Sequence, residues 1–212
     1  MQIFKQDSPF NEFMSRIGDL AMINVAWIIC CLPIVTIGAS TGAMYEVTRR
    51  LHENDDAHVL RAFLAAFRRR FTVSLALTLI ALAFVALASF DLWWLTKGVP
   101  DAPYAPVVYG ATIAVATVAW AGFGFVFPVM ARSTLSAMAQ IRQSFRVAVA
   151  HPLTTVATLF LNALPWIIAV AVPGGLAFTV FFYGLLLSAV TAYIVVYLML
   201  RAGMITARAT EQ

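Results

Sequence analysis

Few side chains inside the long apolar stretches of this chain have the chemistry for proton transfer or polar recognition. Asp91 is an acid near the end of one stretch, and Asn24 and Asn162 are amides within two others. An acid at the centre of a membrane would be costly and would suggest a proton or ion relay. Because Asp91 lies close to Trp94, where an interface is expected, an interfacial position is favoured. For both asparagines, hydrogen bonding between helices is favoured over a substrate path.

The polar segment around residues 52–58 contains acids and histidines but no defensible metal-ligand spacing. These residues are His52, Glu53, Asp55, Asp56 and His58. The sequence also lacks a nucleophile-elbow serine, a phosphate-binding loop followed by lysine, and an HExxH helix. We therefore predict no catalytic residues, no metal site and no cofactor, and a protein that is not an enzyme.

The composition excludes a soluble domain. The chain has 212 residues, of which 62% are hydrophobic and 11% charged, whereas about a quarter of a soluble domain is charged. The formal net charge of +4 does not indicate nucleic-acid binding, because the basic residues collect between apolar runs, as membrane topology requires. We therefore predict that the chain lies in the lipid bilayer.

The apolar runs predict a single membrane domain over residues 1–212. An α-helix needs about 20 apolar residues to cross the hydrocarbon layer. The predicted fold is all-α, a polytopic membrane helix bundle with about five transmembrane helices, and continuous runs without alternation exclude a barrel. The predicted spans are 18–37, 71–95, 105–131, 153–173 and 175–200.

Amphipathic helices are predicted at 39–52, 57–70 and 133–150, the last two on the cytosolic side. Both of these combine arginines with large apolar groups, a pattern that suits either a partner protein or the phosphates and tails of lipids. The candidate partner contacts are Arg61, Phe63, Phe67, Arg68, Arg142, Phe145 and Arg146. In the first helix, Gly38 and Gly42 form a small-xxx-small pair that predicts close helix packing.

The distribution of lysine and arginine predicts the orientation. With five spans, Lys5, Arg16 and Lys97 lie on one side of the membrane, and the other eleven basic residues lie on the opposite side, which the positive-inside rule assigns to the cytoplasm. The C-terminus is then cytoplasmic and the N-terminus outside. If residues 20–37 and 39–52 instead form a half-inserted hairpin, the N-terminus would be inside. Trp93, Trp94, Tyr104 and Tyr109 mark the expected outer aromatic belt.

The N-terminal region resembles the opening of the YesL-like family of bacterial membrane proteins. The specific part is the phrase LPIVTIGAST at residues 32–41, preceded by Asn24 and Trp27, and the block from Phe63 to Phe71 fits the same pattern. The function of this family is largely unknown, and its members are often encoded beside carbohydrate importers of the ATP-binding-cassette (ABC) type, sometimes beside a sensor kinase. The resemblance supplies no catalytic residues.

The resemblance implies a protein of the bacterial cell membrane whose partners are the permease or ATPase subunits of such an importer, or a sensor kinase. Residues 133–152 lack the Glu-Ala-Ala segment and following glycine with which permeases dock on their ATPase, so a permease is disfavoured. The expected function is a non-enzymatic accessory membrane subunit of a carbohydrate importer. The alternatives are a membrane sensor or regulator coupled to a histidine kinase, and a small transporter or channel. The sequence is compatible with an oligomer.

Overall fold

The computed structural model describes residues 9–53, 58–99, 102–131, 133 and 135–204. Every regular element in these residues is helical, which confirms the all-α class. Five segments are long and apolar enough to cross a membrane, as expected of a polytopic helix bundle. The helices are α1 (Pro9–Cys31), α2 (Ile37–His52), α3 (Val59–Trp93), α4 (Ala105–Phe123), α5 (Val126–Met130), α6 (Ala137–Ala150), α7 (Pro152–Ala171), α8 (Gly175–Phe178) and α9 (Ser188–Arg201).

Helices α1 and α2 form an antiparallel hairpin. The turn contains Pro33, which cannot continue a helix, and a short 3₁₀ segment, Ile34–Thr36. Near the turn, the Trp27 indole donates to Thr41 Oγ1 at 3.2 Å, and at the other end Arg16 donates to the Leu51 carbonyl oxygen at 2.7 Å. The sequence left open a half-inserted hairpin of residues 20–37 and 39–52. The structure has the hairpin, but its first helix includes a segment, Phe13–Cys31, that is long and apolar enough to cross a membrane.

Helix α2 lies in the core of the bundle and not at its surface. Eleven of its 16 residues are buried, including Tyr45, Glu46 and Thr48. Its small residues allow this position, because α3 on one side and α1 and α9 on others can approach it closely. The amphipathic pattern of 39–52 therefore reflects a buried polar contact and not an interface with lipid headgroups.

Helix α3 continues without interruption from Val59 to Trp93, so the predicted boundary between an amphipathic helix at 57–70 and a span at 71–95 is absent. The physical reason is that residues 59–93 contain neither glycine nor proline. At 1.5 Å per residue, α3 is roughly 50 Å long and extends well beyond the hydrocarbon layer. Its arginines and its tryptophans consequently lie at opposite ends of the bundle.

Gly38 and Gly42 lie where α2 packs against α3 and α5. A Cβ atom at Gly38 would overlap Thr78 Oγ1 and come within 3.0 Å of the Ser74 carbonyl oxygen, and one at Gly42 would overlap the Met130 methyl group. Gly38 therefore has no room for a side chain, as a close helix–helix contact requires, whereas at Gly42 the flexible end of Met130 would have to move.

We expect Gly38→Ala to lower the free energy of unfolding by about 2 kcal/mol, because the added methyl group forces two packed helices apart. Gly110→Ala is the matched control, since nothing lies within 4 Å of a Cβ atom there. It should raise stability by about 0.5 kcal/mol, because glycine is a poor helix former. Thermal unfolding in detergent, followed by circular dichroism, measures both changes. Equal effects of the two substitutions would contradict the packing described here.

The second half of the chain follows the predicted spans closely. Helices α4 and α5 form one membrane-length segment, Ala105–Met130, with a break at Gly124 and Phe125. Helix α7 ends at Ala171, and α8 and α9 are joined by a π-helical segment, Thr179–Leu187. Helix α6 begins at Ala137, four residues after the predicted start of the amphipathic helix.

Both ends of the described chain lie at the same end of the bundle. Arg16 is bonded to the last turn of α2. In that turn His52 shares a hydrogen bond of 3.0 Å with the Tyr193 carbonyl oxygen and stacks on the Tyr193 ring. Residues 193–201 continue α9 in the same direction. Because α2 returns along α1, the start of α1 and the end of α9 share this end of the bundle; the orientation of the two termini relative to the membrane stays a prediction.

The return of α2 also changes the distribution of basic residues. Among the described residues, Lys97 lies at the end that carries the aromatic residues Trp93 and Trp94. We name the opposite end the arginine-rich end. It carries Arg16, Arg49, Arg50, Arg61, Arg68, Arg69, Arg70, Arg142, Arg146 and Arg201. The charge asymmetry is thus stronger than the sequence predicted.

Candidate functional site at the arginine-rich end

A buried carboxylate organises the arginine-rich end. The Glu46 side chain is only 2% exposed and accepts hydrogen bonds from three guanidinium groups. Arg50, one turn further along α2, reaches Oε1 at 3.0 Å, and Arg69 of α3 contacts the same oxygen. Arg70 donates from Nε to Oε2 at 2.9 Å. One acid therefore ties α2 to α3 through charge-assisted bonds.

Arg70 extends this network to the segment that leads into α6. Its two terminal nitrogens donate to the backbone carbonyl oxygens of Ser133 and Ala131, the latter at 3.3 Å. Its side chain is only 11% exposed. Arg70 thereby satisfies carbonyl groups at the end of α5 that have no partner within the helix, and it fixes the start of the α6 segment relative to α3.

The electrostatics of the Glu46 cluster favour the ionised carboxylate. Burial raises the pKa of Glu46, but hydrogen bonds and charges from Arg69 and Arg70 outweigh it and hold the pKa below its usual value. Three guanidinium groups around one carboxylate leave two positive charges in excess. Arg69 is about half exposed, so part of this excess faces the surroundings of the protein.

The seven predicted partner contacts separate into two groups. The arginines 61, 68, 142 and 146 are exposed. Phe63 is fully buried in the core, and Phe67 is partly buried against it. Phe145 is also partly buried, and its ring packs on Gly122 of α4. The phenylalanines therefore anchor the two amphipathic segments to the bundle, and a role for Phe63 in direct partner contact is excluded.

Asn24 joins α1 to the π-helical segment. It is fully buried, and its amide nitrogen donates to the carbonyl oxygens of Tyr183, at 3.0 Å, and of Gly184. Its amide oxygen accepts from the Ala189 backbone nitrogen at 2.9 Å. The Tyr183 carbonyl oxygen also accepts from the backbone nitrogen and the hydroxyl of Ser188, so Asn24 adds a bond from α1 to a carbonyl that the helix already uses. Asn24 thus acts in helix packing.

Asn162 has a different environment. It lies on α7 and lines a partly open cavity of about 450 Å³ that α2, α3 and α4 also border. No hydrogen bond to its amide forms within the described residues. The two asparagines, similar in the sequence, therefore differ: one is used inside the protein and the other faces a cavity.

Asp91 bonds across two helices near the aromatic end. Asp91 lies on α3, two residues before Trp93. Its carboxylate accepts a hydrogen bond from the Thr112 hydroxyl of α4. The described residues contain no group of three or more metal-binding side chains. Asp55 and Asp56 lie outside the described residues.

Glu46, which organises the arginine-rich end, is not among the site residues predicted from the sequence. Two signals pointed to it. Glu46 is the sole acid between residues 20 and 52, and Arg50 follows it by four residues, the spacing of a helical ion pair. Neither signal indicates that Glu46 is buried, because this burial depends on the position of α2 between other helices.

Comparison with known proteins gives one match. The family model described as "Protein of unknown function, DUF624" matches residues 20–92. The match covers most of α1, all of α2 and nearly all of α3, and thus includes Asn24, Gly38, Glu46 and Arg70. No curated protein and no solved structure matches the chain. The region similar to DUF624 is therefore the part of the bundle that contains the Glu46 cluster.

Proposed function

We propose that the protein is a non-enzymatic accessory membrane subunit of a carbohydrate importer of the ABC type, located in the bacterial cell membrane. The resemblance to YesL-like proteins, which are often encoded beside such importers, supports this class, whereas the family model that matches residues 20–92 is described as of unknown function. By the positive-inside rule, the arginine-rich end faces the cytoplasm. Both termini are then cytoplasmic, where the ATPase of such an importer also lies.

The observation that carries the proposal is a rigid cationic surface. Arg61 and Arg68 are exposed on α3, and Arg142 and Arg146 are exposed on α6. Arg70 bonds α3 to the segment before α6, so the two helices that carry these four arginines are held relative to each other. A preorganised surface loses little conformational entropy on binding, and exposed positive charge selects an acidic partner.

Purification in mild detergent from cells that express the neighbouring importer and kinase genes tests this proposal. We expect importer subunits to co-elute and to dissociate as the salt concentration rises, because exposed charges are screened. Replacing Arg61, Arg68, Arg142 and Arg146 together with glutamine should reduce co-elution at least about tenfold. Lys97→Gln, at the opposite end, is the control and should have no effect.

Two results would contradict the proposal. Absence of any importer subunit from the unmodified complex would remove the partner. Unchanged co-elution of the fourfold variant would assign the four arginines to lipid phosphates instead.

The two alternative functions predict different phenotypes. A regulator of a histidine kinase would use the same cationic surface, and deletion would alter induction of sugar genes without changing uptake by an importer that is already induced. A transporter requires a polar path through the bundle. All the hydrogen-bonding groups of Asn24 face backbone atoms of the protein, which weakens this alternative, and uptake into vesicles that contain the purified protein alone would test it.

A further inference from the structure

The cavity beside Asn162 has the properties of a ligand site within the membrane. Its volume of about 450 Å³ lies in the range of small-molecule pockets. Its walls are mostly apolar and come from α2, α3, α4 and α7, with Phe84, Phe123 and Trp120 among them. The α3 wall begins at Ala81, eleven residues or about 16 Å beyond Arg70, which places the cavity at the depth of lipid tails.

Three polar side chains of the cavity, those of Tyr45, Ser89 and Asn162, have no hydrogen bond within the described part of the protein. Tyr45 is 5% exposed and lines the cavity, and no hydrogen bond to its hydroxyl forms within the described residues. The Asn162 amide also has no hydrogen bond there, but Asn162 is only partly buried. A polar group of a buried side chain without a partner is unfavourable, so Tyr45 in particular favours an occupant that supplies hydrogen-bonding atoms.

The walls also restrict the charge of the occupant. None of the described residues that line the cavity is charged, and an ion in such a place would lack a counter-charge. The Thr41 hydroxyl oxygen accepts a hydrogen bond from Trp27. Its proton can therefore be donated to an acceptor atom of the occupant.

We propose that this cavity binds a neutral, largely apolar molecule whose hydroxyl or carbonyl group bonds to Tyr45, of the class represented by a monoacylglycerol. This inference does not depend on the proposed accessory function. The acyl chain lies along the aromatic wall, and the polar end replaces the missing partner of the buried tyrosine. The ester region of a membrane phospholipid offers similar atoms, so the experiment separates the two sources.

Photolabelling of the full-length protein in phosphatidylcholine vesicles tests the proposal. The probe is a monoacylglycerol with a diazirine in its chain, and mass spectrometry locates the labelled residues. We expect saturable labelling of cavity residues that excess unlabelled monoacylglycerol displaces. Tyr45→Phe should weaken the apparent affinity about fivefold, the effect of one hydrogen bond. Ala119→Phe, which fills the cavity, should abolish the labelling.

The controls decide each outcome. Tyr109→Phe removes an exposed tyrosine of α4 outside the cavity lining and should leave labelling unchanged. Because the Tyr45 hydroxyl has no hydrogen bond in the described chain, Tyr45→Phe should have the same unfolding temperature as the unmodified protein. Three results would overturn the proposal: equal labelling by a diazirine alkane, unchanged affinity of Tyr45→Phe, or labelling by diazirine phosphatidylcholine that monoacylglycerol does not displace.

Discussion

Glu46→Gln is expected to lower the free energy of unfolding by about 3 kcal/mol, the cost of removing one partner from a buried ion network. The carboxylate is almost fully buried and joins Arg50, Arg69 and Arg70. Without its charge, the Arg70 side chain stays buried beside two other cations. We expect the segment before α6 to loosen as well, because Arg70 also holds its backbone. Thermal unfolding in detergent measures the loss.

A matched control and a double variant separate charge from size. Glu53, directly after the end of α2, forms an ion pair with Arg49, and its side chain is 14% exposed against 2% for Glu46, so Glu53→Gln should cost less than Glu46→Gln. Adding Arg70→Met to Glu46→Gln should recover part of the loss, because it removes a buried cation left without its acid. Equal stability of the unmodified protein and Glu46→Gln would show that the cluster does not hold the helices together.

The Glu46 cluster also makes stability depend on pH. Since the folded pKa of Glu46 lies below its usual value, the contribution is present at neutral pH and is lost as the pH falls through the folded pKa. In Glu46→Gln this part of the acid sensitivity should be missing.

Asn24→Leu is expected to lower the free energy of unfolding by about 2 kcal/mol. Interhelical hydrogen bonds in membranes contribute about 0.6 kcal/mol each, and Asn24 makes three. Leucine has a similar size, so the substitution removes the three bonds between α1 and the segment from Tyr183 to Ala189 and creates no large cavity, while the Tyr183 carbonyl keeps its bonds from Ser188. We expect the π-helical segment to exchange its amide hydrogens faster in this variant.

Asn162→Leu provides the matched control for Asn24→Leu. Its amide has no hydrogen bond within the described residues, so we expect a change of less than about 0.5 kcal/mol. If both substitutions cost the same, the bonds of Asn24 to the π-helical segment would not be the source of its effect.

The spans and the fold class followed directly from the sequence because they depend on local hydropathy. Residues 105–131, 153–173 and 175–200 were predicted within a few residues of their observed bounds, since lipid requires apolar runs of fixed length. The course of α2 could not be predicted in the same way. Gly38, Gly42 and Pro33 indicated close packing and a turn, but whether the helix lay in the bundle or on its surface depended on partners distant in sequence.

The polar contacts were less predictable than the helices for the same reason. Glu46 meets Arg69 and Arg70 across a loop, and Asn24 meets Tyr183 from the opposite end of the chain. The phenylalanines of the amphipathic segments gave the correct periodicity and the wrong environment. A period of 3.6 residues shows that one face is apolar, and it does not show whether that face meets lipid or protein.

The return of α2 along α1 brings the start of α1, the end of α9 and the described arginines to one end of the bundle, and the proposed function requires that end to be cytoplasmic. Single cysteines at three positions test this directly, in a protein with Cys30→Ala and Cys31→Ala. We expect Val99→Cys to react with a membrane-impermeant maleimide in intact spheroplasts, and Gln2→Cys and Gln212→Cys to react only after permeabilisation. Reaction of Gln2→Cys and Gln212→Cys from opposite sides of the membrane would contradict the hairpin of α1 and α2.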